Sequence, residues 1–184
     1  MTRAFVAVDL DDAARDDALG ALELLSRAKG APPDARWVSK DSMHVTLKFL
    51  GSVSEEAIAR LSAELDALAA RPAPALVIGA LAAFPEAGHA RVVILDVDDG
   101  GALASLAERL EDLAEREGVA RETRAYHPHL TLARLGRPRD ARAWLASRPH
   151  APRPTRAAAI TLYESVTAPS GARYTPLARA TFLP

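Results

Sequence analysis

The sequence contains no cysteine, which excludes disulfide frameworks, thiolate zinc sites and cysteine nucleophiles. It has no long apolar run either. The longest, Ala75 to Phe84, is ten residues, against the roughly 20 that span a bilayer. The opening stretch, Met1 to Asp9, holds an apolar segment too short for a signal peptide and closed by an acid, so a soluble, cytoplasmic protein is expected. Glycine-rich phosphate loops are also missing: neither GxGxxG nor GxxxxGKS/T follows any strand-like stretch, which removes most of the support for dinucleotide or nucleoside triphosphate chemistry. Lysine is scarce, with 3 against 20 arginines, while alanine supplies 40 of the 184 residues. That skew reads as coding bias and carries no functional weight.

What the chain does have is a sizeable apolar fraction, 49%. A chain of this length buries about 70% of its extended surface without staples, and residues 1–184 are expected to form one domain, or one unit of two lobes. The net charge of −1 conceals an asymmetry. Residues 1–118 carry 12 Lys/Arg against 21 Asp/Glu, a net of −9, whereas residues 119–184 carry 11 Arg against 3 acids, a net of +8. A basic final third suits an anionic ligand or a set of solvated arginines, and charge alone does not choose between them.

Hydrophobic patterning predicts strands over Ala4–Leu10, His44–Leu50, Ala75–Phe84, Arg91–Val97 and His129–Leu135, with a hairpin from Ala158–Val166 and Arg173–Phe182 joined through Ala168-Pro169-Ser170-Gly171. Helices are predicted over 12–28, 54–70, 102–117 and 140–146, started by Asp11-Asp12, Ser54-Glu55-Glu56 and Asp98–Gly101. A Pro- and Arg-rich loop is expected at 149–154. The irregular strand spacing and the hairpins indicate α+β with antiparallel sheet rather than a doubly wound parallel sheet.

The informative feature is an internal repeat. His44-Val45-Thr46-Leu47-Lys48-Phe49-Leu50-Gly51 matches His129-Leu130-Thr131-Leu132-Ala133-Arg134-Leu135-Gly136 at five of eight positions, offset by 85 residues (44 to 129). With five histidines and nine threonines, chance gives roughly a quarter of one His-x-Thr in such a chain, the kind of false-positive rate every short motif carries. Two occur, each inside a longer matched octet.

On a strand, residues i and i+2 share a face, so His44 lies beside Thr46 and His129 beside Thr131. The interleaved Val45, Leu47, Phe49, Leu130 and Leu132 are expected to face the core. If the repeats lie across a two-fold axis, two imidazole–hydroxyl pairs converge on one cleft, an arrangement suited to phosphodiester cleavage. A neutral imidazole accepts a proton while its protonated mate donates one. The hydroxyls donate hydrogen bonds to the non-bridging phosphate oxygens. No metal and no cofactor are required by that chemistry.

With these motifs the chain resembles the 2H phosphoesterases, and within them the RNA 2′,3′-cyclic phosphodiesterases of bacteria and archaea, also described as 2′-5′ RNA ligases. The resemblance extends over nearly the whole chain. It includes Arg3-Ala4-Phe5-Val6-Ala7-Val8-Asp9-Leu10, Arg36-Trp37-Val38, Ala83-Phe84-Pro85, Tyr126-His127-Pro128-His129, Leu162-Tyr163-Glu164-Ser165 and Gly171-Ala172-Arg173-Tyr174. It implies a two-lobed fold with antiparallel sheets lining a central cleft and helices outside. It implies hydrolysis of an RNA or nucleotide 2′,3′-cyclic phosphate to a 2′-phosphomonoester. His44 would be the proton donor and His129 the proton acceptor, Thr46 and Thr131 would hold the phosphate, and Arg134 would add a third phosphate contact. The residues alone give the pair of histidines and leave open which does which. Rival readings are 2′-5′ ligation or another cyclic phosphate on the same scaffold, a non-catalytic module binding RNA ends, and a metallohydrolase. A monomer is the default expectation.

Arg134 lies five residues from His129, so strict alternation places it on the opposite face, and it reaches the cleft only if the strand bends, bulges or ends there. His127-x-His129 has the spacing of a metal-ligand pair with His44 as a third, but no acidic residue accompanies it in sequence and Pro128 places His127 at a solvated strand start. Phe5, Trp37 and Tyr126 are the aromatics that could stack on a base, each equally suited to packing. Arg121, Arg124, Arg137 and Arg139 could contact an RNA backbone or form a solvated basic face.

Overall fold

The apolar opening stretch forms β1 (Thr2–Leu10), buried continuously from Ala4 to Leu10. The structure, a computed structural model, describes residues 1–168 and 171–184. Asp11 then caps α1 (Asp12–Ser26), its carboxylate accepting the Ala14 N–H at 2.7 Å, as the unpaired donors of a first helical turn require. The short β2 (Ala35–Trp37) and a 3-10 turn at Lys40–Ser42 lead into β3 (Val45–Val53). Ser54 caps α2 (Glu55–Ala69) by accepting the Ala57 N–H at 3.2 Å. The hairpin of β4 (Ala75–Phe84) and β5 (Ala90–Asp98) follows. Asp99 starts α3 (Ala102–Arg116), accepting from the N–H groups of Leu103 and Ala104. Then come β6 (His129–Arg139), α4 (Arg142–Ala146) and the long pair β7 (Arg153–Ala168) and β8 (Gly171–Thr181). Pro169 and Ser170, part of the expected hairpin connection, lie outside the described residues.

The eight strands form one sheet in which every strand pairing is antiparallel, in the order β1-β3-β6-β5-β4-β7-β8, with β2 beside β6 and a further pairing of β1 with β7. The α+β antiparallel expectation is met, with one sheet rather than several. Six strands close a circuit because β7 serves both halves: Arg153 to Arg156 pair with β4, and Ala157 to Glu164 pair with β1. Part of the stretch expected to be a proline-rich loop is therefore strand. Pro154 stands opposite Val77, and Pro176 is tolerated on β8, an edge strand, at a register shift.

Helix α2 packs on β7 and β8, α3 on β3, and α4 on β4. Trp144 of α4 donates its indole N–H to the Leu25 carbonyl of α1 at 3.1 Å and meets Trp37 of β2 edge-on. One apolar cluster runs through both halves of the sheet.

Candidate active site

The two halves meet where β3 and β6 pair through Val45 opposite Leu130, both fully buried. Continuing that antiparallel register by one residue on each side puts His44 opposite Thr131 and Thr46 opposite His129, all on the face away from Val45 and Leu130. The two motifs thus cross at a local two-fold, with each histidine's backbone across from the other motif's threonine.

Both motif strands contain the same irregularity. On β6, Ile94 pairs with Thr131 but Val93 pairs with Ala133, so Leu132 is an extra residue. On β3, Ala7 pairs with Thr46 but Val6 pairs with Lys48, so Leu47 is extra at the corresponding place. An inserted residue reverses the alternation beyond it. Arg134, opposite Val92, consequently shares the face of Thr131 and His129, and the condition set by its five-residue spacing is met by a bulge. The same reversal corrects the placement of Phe49. Expected in the core, it stands opposite Phe5, on the face of Thr46, and is 61% exposed.

Each histidine is held by the carbonyl two residues before it. The His129 Nδ1–H donates to the His127 carbonyl at 2.8 Å, and His44 is bonded to the Ser42 backbone. Since a carbonyl only accepts, one ring nitrogen carries a proton and the other is left for chemistry. The surroundings of the rings differ. The His44 ring packs against Phe5 at 4.8 Å, Tyr174 at 5.2 Å and Tyr163 at 6.0 Å. Burial among these rings pushes its pKa down to about 4, with the charges of His129 and Arg134 acting the same way and that of Asp9 opposing. His129 is flanked by Phe84 at 4.8 Å, and burial lowers it also, aided by His127 and Arg134 and opposed by Asp96. The charge of Arg134 lowers both rings, so it lies within electrostatic reach of each.

Several site residues had no signal in the motifs. Asp9, buried beside His44, accepts hydrogen bonds from Tyr163 Oη at 2.7 Å, Thr161 Oγ1 at 2.8 Å and Arg179 Nε at 3.2 Å. Its alternation with Phe5 and Ala7 on β1 is the pattern that could have marked it. Asp96 stands opposite His129 and bonds His127 Nε2 at 2.9 Å, so an acidic residue does accompany that histidine pair, brought from β5. Among the described residues no group of three His, Cys, Asp or Glu side chains is placed to hold a metal ion.

Lys48 is buried and pairs with Glu111 of α3 at 2.6 Å and with the Ala120 carbonyl at 2.9 Å. That fixes the segment leading to Tyr126, whose hydroxyl donates to the Thr46 carbonyl at 3.1 Å. The three aromatics considered for stacking are engaged by the protein: Phe5 is buried against His44, Trp37 is partly buried and meets Trp144 edge-on, and Tyr126 is tied to β3.

Two imidazoles, two threonines and an arginine thus share one sheet face, brought there by a duplicated motif. The chain belongs to the 2′-5′ RNA ligase superfamily, whose family model matches residues 11–168. It is 35% identical over 135 residues to an RNA 2′,3′-cyclic phosphodiesterase of Archaeoglobus fulgidus, covering 73% of each chain. It is also 35% identical over 183 residues to the Escherichia coli RNA 2′,3′-cyclic phosphodiesterase, covering 96% of this chain and 94% of that one. Among solved structures, a Thermus thermophilus protein superposes with a TM-score of 0.78 at 26% identity, covering 98% of this chain and 97% of the other.

Proposed function

We propose that this protein hydrolyses the 2′,3′-cyclic phosphate at the end of an RNA, or of a small nucleotide, to a 2′-phosphomonoester. The observation that carries the reading is the crossing at Val45 and Leu130, which supports it by bringing the two motifs together with their histidines and threonines on one face. Water attacks phosphorus, the bond to the ribose 3′ oxygen breaks, and the ring opens. His129 takes the proton from water through Nε2, left free because Nδ1 donates to the His127 carbonyl. His44 gives a proton to the departing 3′ oxygen. Thr46, Thr131 and Arg134 hold the non-bridging oxygens as charge grows on them.

His44, with its pKa of about 4, is neutral in the free protein at pH 7. A bound phosphodiester supplies the negative charge that offsets the desolvation of an imidazolium, so the substrate itself brings the acid into its working form. The reading also has the chain acting as a monomer in the cytoplasm, as one unit whose two lobes each contribute one motif.

The test is a short RNA ending in a 2′,3′-cyclic phosphate, incubated with and without EDTA, with 2′- and 3′-monophosphate products resolved. Chelator-resistant conversion to the 2′-phosphate is expected. Conversion to the 3′-phosphate would exchange the two histidines, loss in EDTA would point to a metallohydrolase, and a longer product would report 2′-5′ joining. Binding without turnover would make the protein an RNA-end module.

A further inference from the structure

We propose that Arg36 forms a second phosphate subsite beside Arg134, one that holds the phosphodiester immediately upstream of the reacting end of an RNA chain. The inference rests on the proposed function above. Arg36 is the middle residue of β2 and stands directly opposite Arg134 of β6. Directly opposite residues on antiparallel strands project from the same face, with Cα atoms about 5 Å apart. Because the bulge at Leu132 turns Arg134 to the face of His129 and Thr131, Arg36 shares that face too. Its neighbours on β2 agree: Ala35 and Trp37 pack on the core, while Arg36 is exposed.

Two like charges directly opposite on a sheet repel one another. Elsewhere in the basic final third most arginines near the second motif meet carboxylates. Arg121 meets Glu108, Asp112 and Glu115; Arg124 meets Glu122; and Arg139 meets Asp34, with Arg137 nearby. Among the described residues neither Arg36 nor Arg134 has a carboxylate partner or a side-chain hydrogen bond. Three of the four arginines suggested by sequence as backbone contacts are therefore engaged by the protein itself, Arg137 being 83% exposed and 4.0 Å from the Asp34 that already binds Arg139, and Arg36 and Arg134 stand opposite one another on the face of Thr131 with no such partner. A cyclic mononucleotide presents one phosphate, which Arg134 serves. A second guanidinium one strand further from the histidines matches the next phosphate of a polynucleotide, so the pair favours an RNA end over a free nucleotide.

The experiment compares kcat/KM for a nucleoside 2′,3′-cyclic monophosphate with that for a tetraribonucleotide bearing the same end, in wild type, Arg36→Ala and Arg36→Lys, with the fold checked by thermal unfolding. In Arg36→Ala the tetranucleotide should lose about tenfold more than the mononucleotide, as removal of a charged hydrogen bond predicts. The dependence on log salt should become shallower by about one, and Arg36→Lys should recover most of the loss. A tetranucleotide whose last internal linkage is a neutral methylphosphonate should lose as much in wild type and nothing further in Arg36→Ala. Equal losses on both substrates, or none, would overturn the proposal. If wild type hydrolyses neither substrate, the functional reading fails instead. Equilibrium binding of a 2′-phosphate-terminated tetranucleotide then decides Arg36 separately, about tenfold weakening supporting it and unchanged binding overturning it.

Discussion

The two copies of the repeat carry the same histidine, threonine and bulge, yet their surroundings are unlike. The first copy encloses its imidazole in Phe5, Tyr163 and Tyr174, with Asp9 behind them. The second sets its imidazole against a single ring, Phe84, beside the exposed His127 and Asp96. Three residues beyond each threonine, the first copy presents Phe49 and the second Arg134. At the position before that, the first has the buried Lys48 and the second has Ala133. The backbone device is therefore symmetric while the surroundings are not: one imidazole is packed among three aromatic rings, and the other lies beside one phenyl ring and the His127–Asp96 pair. Two proton-transfer groups with opposite tasks need unequal environments, and the asymmetry lies in what surrounds the motifs rather than in the motifs.

The sharpest way to break the comparison is to remove each imidazole. His44→Ala and His129→Ala should each lower kcat by at least 10²–10⁴-fold, with circular dichroism and thermal unfolding showing an intact fold. Full activity in either would end the two-histidine reading.

Next in size is Lys48→Ala. It leaves the Glu111 carboxylate without its cation and should cost about 3 kcal/mol or more in urea unfolding. Lys48→Met, which with Glu111→Leu removes both charges, should cost much less in the double variant than in Lys48→Ala.

The third test concerns acid stability. His44 has a folded pKa of about 4 against 6.5 unfolded, so between those values the unfolded chain binds more protons. The contribution from a neutral His44 is complete above pH 6.5 and is lost as pH falls through that window, amounting to about 3 kcal/mol. Wild type should therefore lose more Tm between pH 6.5 and 4 than His44→Gln does. Equal slopes would mean that the cage does not exclude water.

Smaller again, Thr46→Ala and Thr131→Ala should each reduce kcat by about 10²-fold, the order found for loss of one donor to a developing oxyanion. If the reacting phosphate lies on the local two-fold, the two losses should be similar. A difference beyond tenfold in single-turnover rates would place it nearer one copy.

Much of this molecule is legible in its sequence. Helix starts at Asp11 and Ser54, the strand periods and the duplicated octet each report local chemistry that a single chain segment carries by itself. What escaped depends on pairing partners. A bulge is a mismatch of count between two strands, so nothing inside His129–Arg134 announces it, and Phe49 and Arg134 are both misplaced by strict alternation. Asp9 reads as the end of an apolar strand until β7 and β8 bring Thr161, Tyr163 and Arg179 to it. Pro154 reads as loop until β7 is seen to extend past β1 to reach β4. Even the two motif glycines have separate reasons. Gly51 takes a φ of +69°, whereas a Cβ on Gly136 would lie 2.8 Å from the Asp34 carboxylate that binds Arg139.

The crossing of the two motifs at Val45 and Leu130 makes the working unit something other than a repeat. In the proposed mechanism each station facing the phosphate draws on one copy's imidazole and the other copy's hydroxyl, so neither copy owns a complete station. A protein with a single copy could complete a station only by meeting a second chain, at a rate and occupancy set by its concentration. Placing both copies in one chain replaces that concentration with a fixed effective one. The centre stays assembled at any dilution, and each copy is free to acquire its own surroundings without a twin being forced to share them.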